Sequence, residues 1–347
     1  MNNEFRVGVI GTPHEVVRRT LPALFRLDSS FGARLVAMAG PEARDAKAFL
    51  DSGAGRKAAW LTGHAYPDGL NLGDVETHDS PWTMLEHTPL DGVIVAGEDA
   101  SDAICIVTLR RKCHVLTAAD PVIADPIALA KLQKEAAEQG RRFDAGHLSG
   151  YRSSLFDSPD VAEALDGVPG VSARWCIAAS SKVRAPGAAR LLALTTPVAI
   201  ALRGTTVTLK RIDQVGGTAI RGIWETAAGR TAIIDVEWDW PMPGGDQASL
   251  TAYGPRARVA LPLAPPGARV AAHPDELTGT LRPKVGPPRW LATRRTFQDC
   301  EQVRMQQWVE ACQGDRTPTV TTRHALVAAQ MAQFLATALN PARTGDA

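Results

Sequence analysis

Residues 5–25 read Phe5-Arg6-Val7-Gly8-Val9-Ile10-Gly11-Thr12-Pro13-His14-Glu15-Val16-Val17-Arg18-Arg19-Thr20-Leu21-Pro22-Ala23-Leu24-Phe25. The run Phe5 to Ile10 is short and apolar, as a strand buried on both faces requires. Gly11-Thr12-Pro13 is a turn. Val16, Val17, Leu21, Leu24 and Phe25 then recur at helical spacing and form one apolar face. The unit is therefore strand, tight turn, helix, and it repeats. Leu35–Ala39, Gly92–Ala96 and His114–Leu116 are further apolar strands. A helix is expected from about Ser101 to Lys112. Asp125-Pro126 opens another, which Leu129, Leu132 and Ala136 face inward and Gly140 ends. Arg141–Ala145 is a candidate last strand. Strands alternating with helices imply a parallel sheet with right-handed crossovers.

The pattern changes after about residue 147. Val207–Ile212, Ala219–Glu225, Thr231–Trp238 and Ala248–Tyr253 are expected as consecutive strands, with turns at Gly229 and Gly244-Gly245. Residues 52–80 are rich in glycine and proline and are expected as an elaborated loop anchored by Trp60. Residues 261–290 are expected as a long surface excursion. Met305, Trp308, Val309 and Cys312 share a helical face, and a final helix is expected over His324–Leu339. The expected fold is α/β, a parallel-sheet domain over residues 1–146 followed by an α/β domain over 147–347 with a large, mostly antiparallel open sheet.

The 347 residues carry 38 Lys+Arg against 37 Asp+Glu, a net charge of +1. Such a balance gives no field that attracts nucleic acid or an anionic membrane. No apolar stretch is long enough to span a bilayer. The five cysteines, at 105, 113, 176, 300 and 312, are odd in number and lack metal-binding spacing. With no signal-peptide pattern at the N-terminus, they are expected as reduced thiols in a cytoplasmic protein, with no metal site.

Three stretches in the first half resemble the glucose–fructose oxidoreductase / inositol dehydrogenase (Gfo/Idh/MocA) family. They are Val7-Gly8-Val9-Ile10-Gly11, Asp91-Gly92-Val93-Ile94-Val95-Ala96, and Lys112-Cys113-His114-Val115-Leu116 leading to Pro121. The stretch Ala228 to Leu261 and the ending Pro318-Thr319-Val320-Thr321 resemble the same family's sheet domain and C-terminus. The resemblance covers nearly the whole chain. It implies a Rossmann-type first domain that holds a nicotinamide cofactor.

The same resemblance marks departures. The family's first turn is G-x-G-x-x-G, whose glycines let the backbone approach a pyrophosphate; here the three positions are Gly11, Pro13 and Val16. Pro13 has no N–H to donate. The acidic ribose ligand that the family places after strand two is Gly40 here. Arg44 follows, and an Arg in this region can accept a 2′-phosphate; a solvated helix-start Arg is the plainer reading. The family's T-P loop after strand four is Gly97-Glu98-Asp99, whose carboxylates repel a pyrophosphate. Its E-K-P motif becomes Ala119-Asp120-Pro121, without the lysine. Its second catalytic element, D-x-G-x-H-x-x-D, falls on residues 193–200, where Ala193, Pro197 and Ile200 replace the Asp, His and Asp.

These joint losses imply a homologue that has abandoned redox chemistry, binds no cofactor and uses the crevice for ligand binding, regulation or redox-neutral chemistry. The cofactor positions Gly11, Thr12, Pro13 and Arg44 are then vestigial. The alternative is a divergent NADP-dependent oxidoreductase acting on a sugar-like or small polar substrate, with Asp120 or His147 as a relocated proton-transfer group. A structural subunit stabilising an active family member is a third possibility. Glu98, Asp99, Tyr151 and Arg152 are candidate contacts for a small polar ligand. The carboxylates Glu98, Asp99, Asp102 and Asp120 suit an amine or a cation, or are solvated loop acids. His14 is a further crevice candidate. Trp238 and Trp240, with Trp224 nearby, suggest a homo-oligomer through the open sheet face, or packing of that face on the chain's own helices.

Overall fold

The computed structural model describes residues 4–11, 20–52, 72–96, 101–118, 125–145, 170–178, 186–215, 218–240, 246–263, 277–293, 297–314 and 321–339. The chain packs as two compact units. Unit 1 takes residues 1–123, 127–148 and 298–322, and unit 2 takes 124–126, 149–297 and 323–347. A division at a single point in the chain therefore misses the return of residues 298–322 to the first unit.

Unit 1 is built on a six-stranded sheet in the order β3-β2-β1-β4-β5-β6. The strands are β1 (Phe5–Ile10), β2 (Ala33–Ala39), β3 (Glu76–His78), β4 (Gly92–Ala96), β5 (His114–Ala118) and β6 (Phe143–Asp144). All five pairings are parallel. The helices are α1 (Leu21–Phe31), α2 (Ala43–Asp51), α3 (Pro81–His87), α4 (Asp102–Arg110) and α5 (Pro126–Glu138). Strand order reverses between β1 and β4, so the switch point that positions ligands in such sheets lies beyond the ends of those two strands.

Local signals explain these elements. Val7, Val9 and Ile10 are fully buried, as an apolar central strand must be. The Ser80 side chain accepts from Trp82 N–H and caps α3, with Pro81 behind it; Ser101 accepts from Ile104 N–H and caps α4. Leu129, Leu132 and Ala136 are the buried stripe of α5, and Gly140 beyond it sits at φ 63°. Two strand glycines make room for neighbours. A Cβ on Gly92 would lie 2.6 Å from the Trp308 ring, and one on Gly8 2.9 Å from Leu90. Trp308 also meets Phe5 edge-on, with ring centroids 5.6 Å apart.

Unit 2 carries an eight-stranded sheet in the order β14-β13-β12-β11-β7-β10-β9-β8. Its strands are β7 (Gly170–Ala178), β8 (Val207–Val215), β9 (Ala219–Thr226), β10 (Thr231–Trp240), β11 (Gln247–Tyr253), β12 (Ala257–Leu263), β13 (Leu277–Pro283) and β14 (Arg289–Thr293). Only β10 and β7 pair in parallel; the other pairings are antiparallel. The remaining helices are α6 (Ala188–Ala201), α7 (Phe297–Gln313) and α8 (Thr322–Leu339). Within unit 2, the buried Thr195 hydroxyl on α6 donates to the Ala328 carbonyl of α8 at 2.8 Å. Met305, Trp308 and Val309 on α7 join the unit 1 core.

The sheet is larger than its alternation predicts. The expected surface excursion over 261–290 contains β13 and the start of β14, and the central strand β7 was not expected. β13, Leu-Thr-Gly-Thr-Leu-Arg-Pro, alternates with period two, but with only two leucines, in a stretch rich in proline and glycine, its signal is weak. Of the two places expected for the tryptophans, Trp224 takes the second. Trp224 pairs with Ala232 and is fully buried, on the same face as the fully buried Trp175. That face is the one with no exposed positions along β9 and β10, so Trp224 belongs to the core of its own unit. The opposite face carries ion pairs: Arg221 with Asp235 at 2.6 Å, and Arg174 with Glu237 at 2.6 Å. Trp238 is half-buried, and the side chain of Trp240 lies outside the described residues.

Candidate functional site

The site grows from the carboxyl ends of β1, β2 and β3. β1 ends at Ile10, and Gly11 turns away with φ 77°. Its N–H donates to the Ala39 carbonyl at 2.9 Å. β2 ends at Ala39, and Gly40 follows with φ 135°, a backbone conformation that disfavours any Cβ. The Gly40 N–H donates to the His78 carbonyl at 3.0 Å, and its own carbonyl accepts from Ala43 N–H at the start of α2. The two glycines thus stitch three strand ends together with no side chain between them. An acidic residue at position 40 would be strained there.

Arg44 stands in the first turn of α2, beside this edge. Its Nη2 lies 3.0 Å from Asp79 Oδ2, and the two side chains are 69% and 72% exposed. The guanidinium is therefore reachable from solvent and held by one exposed partner. Lys47, one turn on, donates to the Val75 carbonyl at 2.7 Å and fixes the entry of β3 against α2.

Behind the edge, three side chains of β3 and the end of α3 form a closed cluster. Thr88 Oγ1 donates to Glu76 Oε2 at 2.6 Å. His78 Nε2 lies 3.2 Å from that oxygen and 3.1 Å from Thr88 Oγ1. The Thr88 hydroxyl, ahead of His78, holds the Glu76 carboxyl below its usual range. The cluster ties His78 down, so that its carbonyl is aimed at Gly40.

At the far side of the sheet β5 ends at Ala118. The fully buried Arg304 of α7 donates through Nη2 to the Thr117 carbonyl. This arginine anchors the strand end from which residues 119–121 depart.

Among the positions expected from sequence, Gly11 and Arg44 lie at one edge of unit 1. Thr12, Pro13, His14, Glu98, Asp99, Asp120, His147, Tyr151 and Arg152 lie outside the described residues. Asp102 opens α4, with Lys131 Nζ 3.8 Å from its carboxylate. Pro197, which the resemblance sets against a histidine, is buried inside α6. Sequence reasoning missed Glu76, His78, Asp79 and Arg304. For the first three a signal existed, since Ser80-Pro81 is a helix start and the residues before it had to be a strand or its end. Nothing in the sequence singles out Arg304 among the arginines. Among the described residues, no three His, Cys, Asp or Glu side chains converge to hold a metal, and no helix is long and apolar enough to cross a membrane.

No protein-family model and no curated protein sequence matches the chain. Solved structures do. A 3-ketoreductase from Actinomadura kijaniata, solved with NADP and TDP-benzene, matches with a TM-score of 0.63 at 17% identity, over 99% of this chain and 98% of that one. A dehydrogenase from Chromobacterium violaceum matches with a TM-score of 0.67 at 15% identity, over 98% and 96%. At these identities the likeness is one of fold, and it extends over both units. The 3-ketoreductase holds NADP on this fold. The expectation that the chain is a homologue without cofactor is corrected on that finding, because departures from G-x-G-x-x-G, read alone, do not weigh the rest of a cofactor-binding fold. The chain shares its fold with this NADP-bound 3-ketoreductase and with this dehydrogenase.

Proposed function

We propose that the protein is a divergent NADP-dependent oxidoreductase acting on a sugar-like or small polar substrate. The observation that carries this reading is the edge formed by Gly11, Gly40 and Arg44. Gly40 offers no carboxylate to repel a 2′-phosphate, and its φ of 135° disfavours one by mutation. Arg44 offers an exposed guanidinium one helical turn away, with five donors suited to phosphate. An adenosine ribose bearing a 2′-phosphate fits this pairing better than a ribose diol does. Whole-chain likeness to a 3-ketoreductase solved with NADP supports the same cofactor.

Bound NADPH would supply a hydride to a substrate carbonyl. The chain's own part is to hold the adenosine end through Gly11, Gly40 and Arg44, and to give a proton to the developing alkoxide. Asp120 and His147 are the candidates for that proton, in place of the family's lysine and histidine. Such assistance is worth roughly 10²–10⁴-fold. Arg304 has a positioning role, since it fixes the strand end that precedes Asp120.

The test is turnover. The protein is given NADPH and a panel of keto sugars and small hydroxy-ketones, and cofactor oxidation is followed. Turnover that falls at least ~100-fold in Asp120→Asn or His147→Ala, with NADPH still bound, supports the assignment. Tight NADPH binding with no turnover across the panel and no exchange of cofactor hydrogen into any substrate would refute the enzymatic part.

A further inference from the structure

The net charge of +1 belongs to the whole chain and conceals a local excess in unit 2. Along β7 to β10 the charges of the sheet face are matched: Lys210 with Glu225 at 3.0 Å, Arg221 with Asp235 and Arg174 with Glu237. The other half of the sheet differs. From β11 to β14 the described residues, 247–263 and 277–293, include Arg256, Arg258, Arg282, Lys284 and Arg289 and no Asp or Glu.

The fold gathers these cations at one end of the sheet. Ala257, at the start of β12, pairs with Pro283, at the end of β13, so the turn before β12 lies beside the turn after β13. The Lys284 N–H joins the two turns by donating to the Arg256 carbonyl at 2.9 Å. Arg258 stands directly opposite Arg282, and both are exposed. Like charges so placed oppose strand pairing, so folding gains nothing from them. On its other side Arg258 stands opposite Tyr253, which is 41% exposed, with the guanidinium 5.3 Å from the ring centroid. The turn between β13 and β14 carries Val285, 90% exposed, and then Gly286 at φ 110° and the exposed Pro287 and Pro288. An apolar side chain this bare, set among positive charges, contributes nothing to the core.

We propose that this end of the unit 2 sheet is a docking surface for an anionic lipid membrane. The cations meet the headgroups, Tyr253 lies at their level and Val285 enters the interface. Charge complementarity calls for an anionic partner, and the bare valine selects lipid, since a phosphate backbone gives it nothing apolar to enter. The two prolines suit the same place, because they carry no N–H to lose its water as the tip enters. The inference rests on unit 2 alone and does not depend on the cofactor reading. Sequence reading passed over it, because the cations are scattered from position 256 to 289 and meet only when the two turns do.

The experiment is co-sedimentation of the full chain with vesicles of phosphatidylcholine alone, and of phosphatidylcholine with about 30% phosphatidylserine. Each basic residue near such a surface strengthens binding roughly 5-fold, so the five together should hold at least half of the protein at ~1 mM lipid. Binding to the neutral vesicles should be far weaker, and salt at ~0.5 M should release the protein from the anionic ones. The double variant Arg282→Glu, Lys284→Glu should bind at least ~25-fold more weakly. Val285→Ser, which leaves every charge in place, should bind at least ~3-fold more weakly. All three positions are exposed, so melting temperatures should match that of the unmodified protein. No binding to the anionic vesicles at ~3 mM lipid, or binding unchanged in the double variant, would overturn the proposal. So would vesicle binding unchanged in Val285→Ser together with equally tight binding of a DNA duplex, which would mark a surface for any polyanion.

Discussion

The ion pair between Arg44 and Asp79 makes an opposed prediction for two neighbouring substitutions. Both side chains are about 70% exposed, so the pair itself contributes little to folding, about 0–1 kcal/mol. Removing either partner should leave the melting temperature nearly unchanged. Cofactor affinity should respond in opposite directions. A charge-assisted contact from arginine to phosphate is worth about 1.5–3 kcal/mol, and exposure reduces it to about 1–2 kcal/mol. Arg44→Ala should therefore weaken NADPH roughly 5–30-fold. Asp79 lies 3.0 Å from the guanidinium, so a phosphate on the same group is within about 6 Å of its carboxylate. In a water-like dielectric that repulsion is about 0.7 kcal/mol. Asp79→Asn should accordingly tighten NADPH about 3-fold, and more at low salt. NADH, which lacks the 2′-phosphate, should bind the three proteins alike. Calorimetric titration of both cofactors into all three reads these changes directly. Equal loss of NADH and NADPH in Arg44→Ala, or weaker NADPH in Asp79→Asn, would show that Arg44 does not meet the 2′-phosphate.

Further predictions concern the scaffold. Gly40→Asp places a side chain at φ 135°, so it should cost about 1–3 kcal/mol of stability by denaturant unfolding and weaken NADPH as well. Gly92→Ala pushes a methyl to 2.6 Å from the Trp308 ring and should cost about 1–3 kcal/mol, with a shift in the Trp308 indole resonance. Burial, aided by Arg141 and Arg142, lowers His114 from 6.5 to about 4. The unfolded chain then takes up the proton first, so this stability is present above pH 6.5 and is lost as pH falls toward 4. His114→Phe should flatten that part of the pH–stability curve. Burial raises the thiols of Cys105 and Cys113 to about 12 and about 11, so iodoacetamide at pH 8 should label them in the unfolded protein and spare them in the native one.

The parallel sheet was legible because its strands are buried on both faces and read as uninterrupted apolar runs; β1 and β4 fall where their sequences place them. Short edge strands escaped. β3 is three residues of mixed polarity, Glu76-Thr77-His78, held by pairing with β2 and by Lys47 rather than by its own hydrophobicity. β13 and β14 extend a sheet through backbone bonds that polar residues make as well as apolar ones. The return of residues 298–322 to unit 1 is a long-range packing choice. The apolar face of Met305, Trp308 and Val309 says that the helix is buried and not against what.

At the site, motif comparison located Gly11 and Arg44 and left two readings for them, a vestigial turn or a place for NADP. A missing glycine at Pro13 counts against a pyrophosphate cradle only if the rest of the edge is unsuited to a cofactor. The edge is set by backbone at Gly11 and Gly40, and backbone hydrogen bonds leave no motif. The glycine at position 40 reads as a lost acid in the sequence and as a required positive φ in the structure.

The most direct measurement of the central claim is a calorimetric titration of the unmodified protein with NADPH and with NADH under the same salt. Saturable NADPH binding is expected, with NADH weaker by roughly 5–30-fold, the same factor assigned to the Arg44 contact. No heat and no fluorescence change with NADPH up to ~1 mM, a concentration at which even a site worth only about 4 kcal/mol would be half filled, would contradict it.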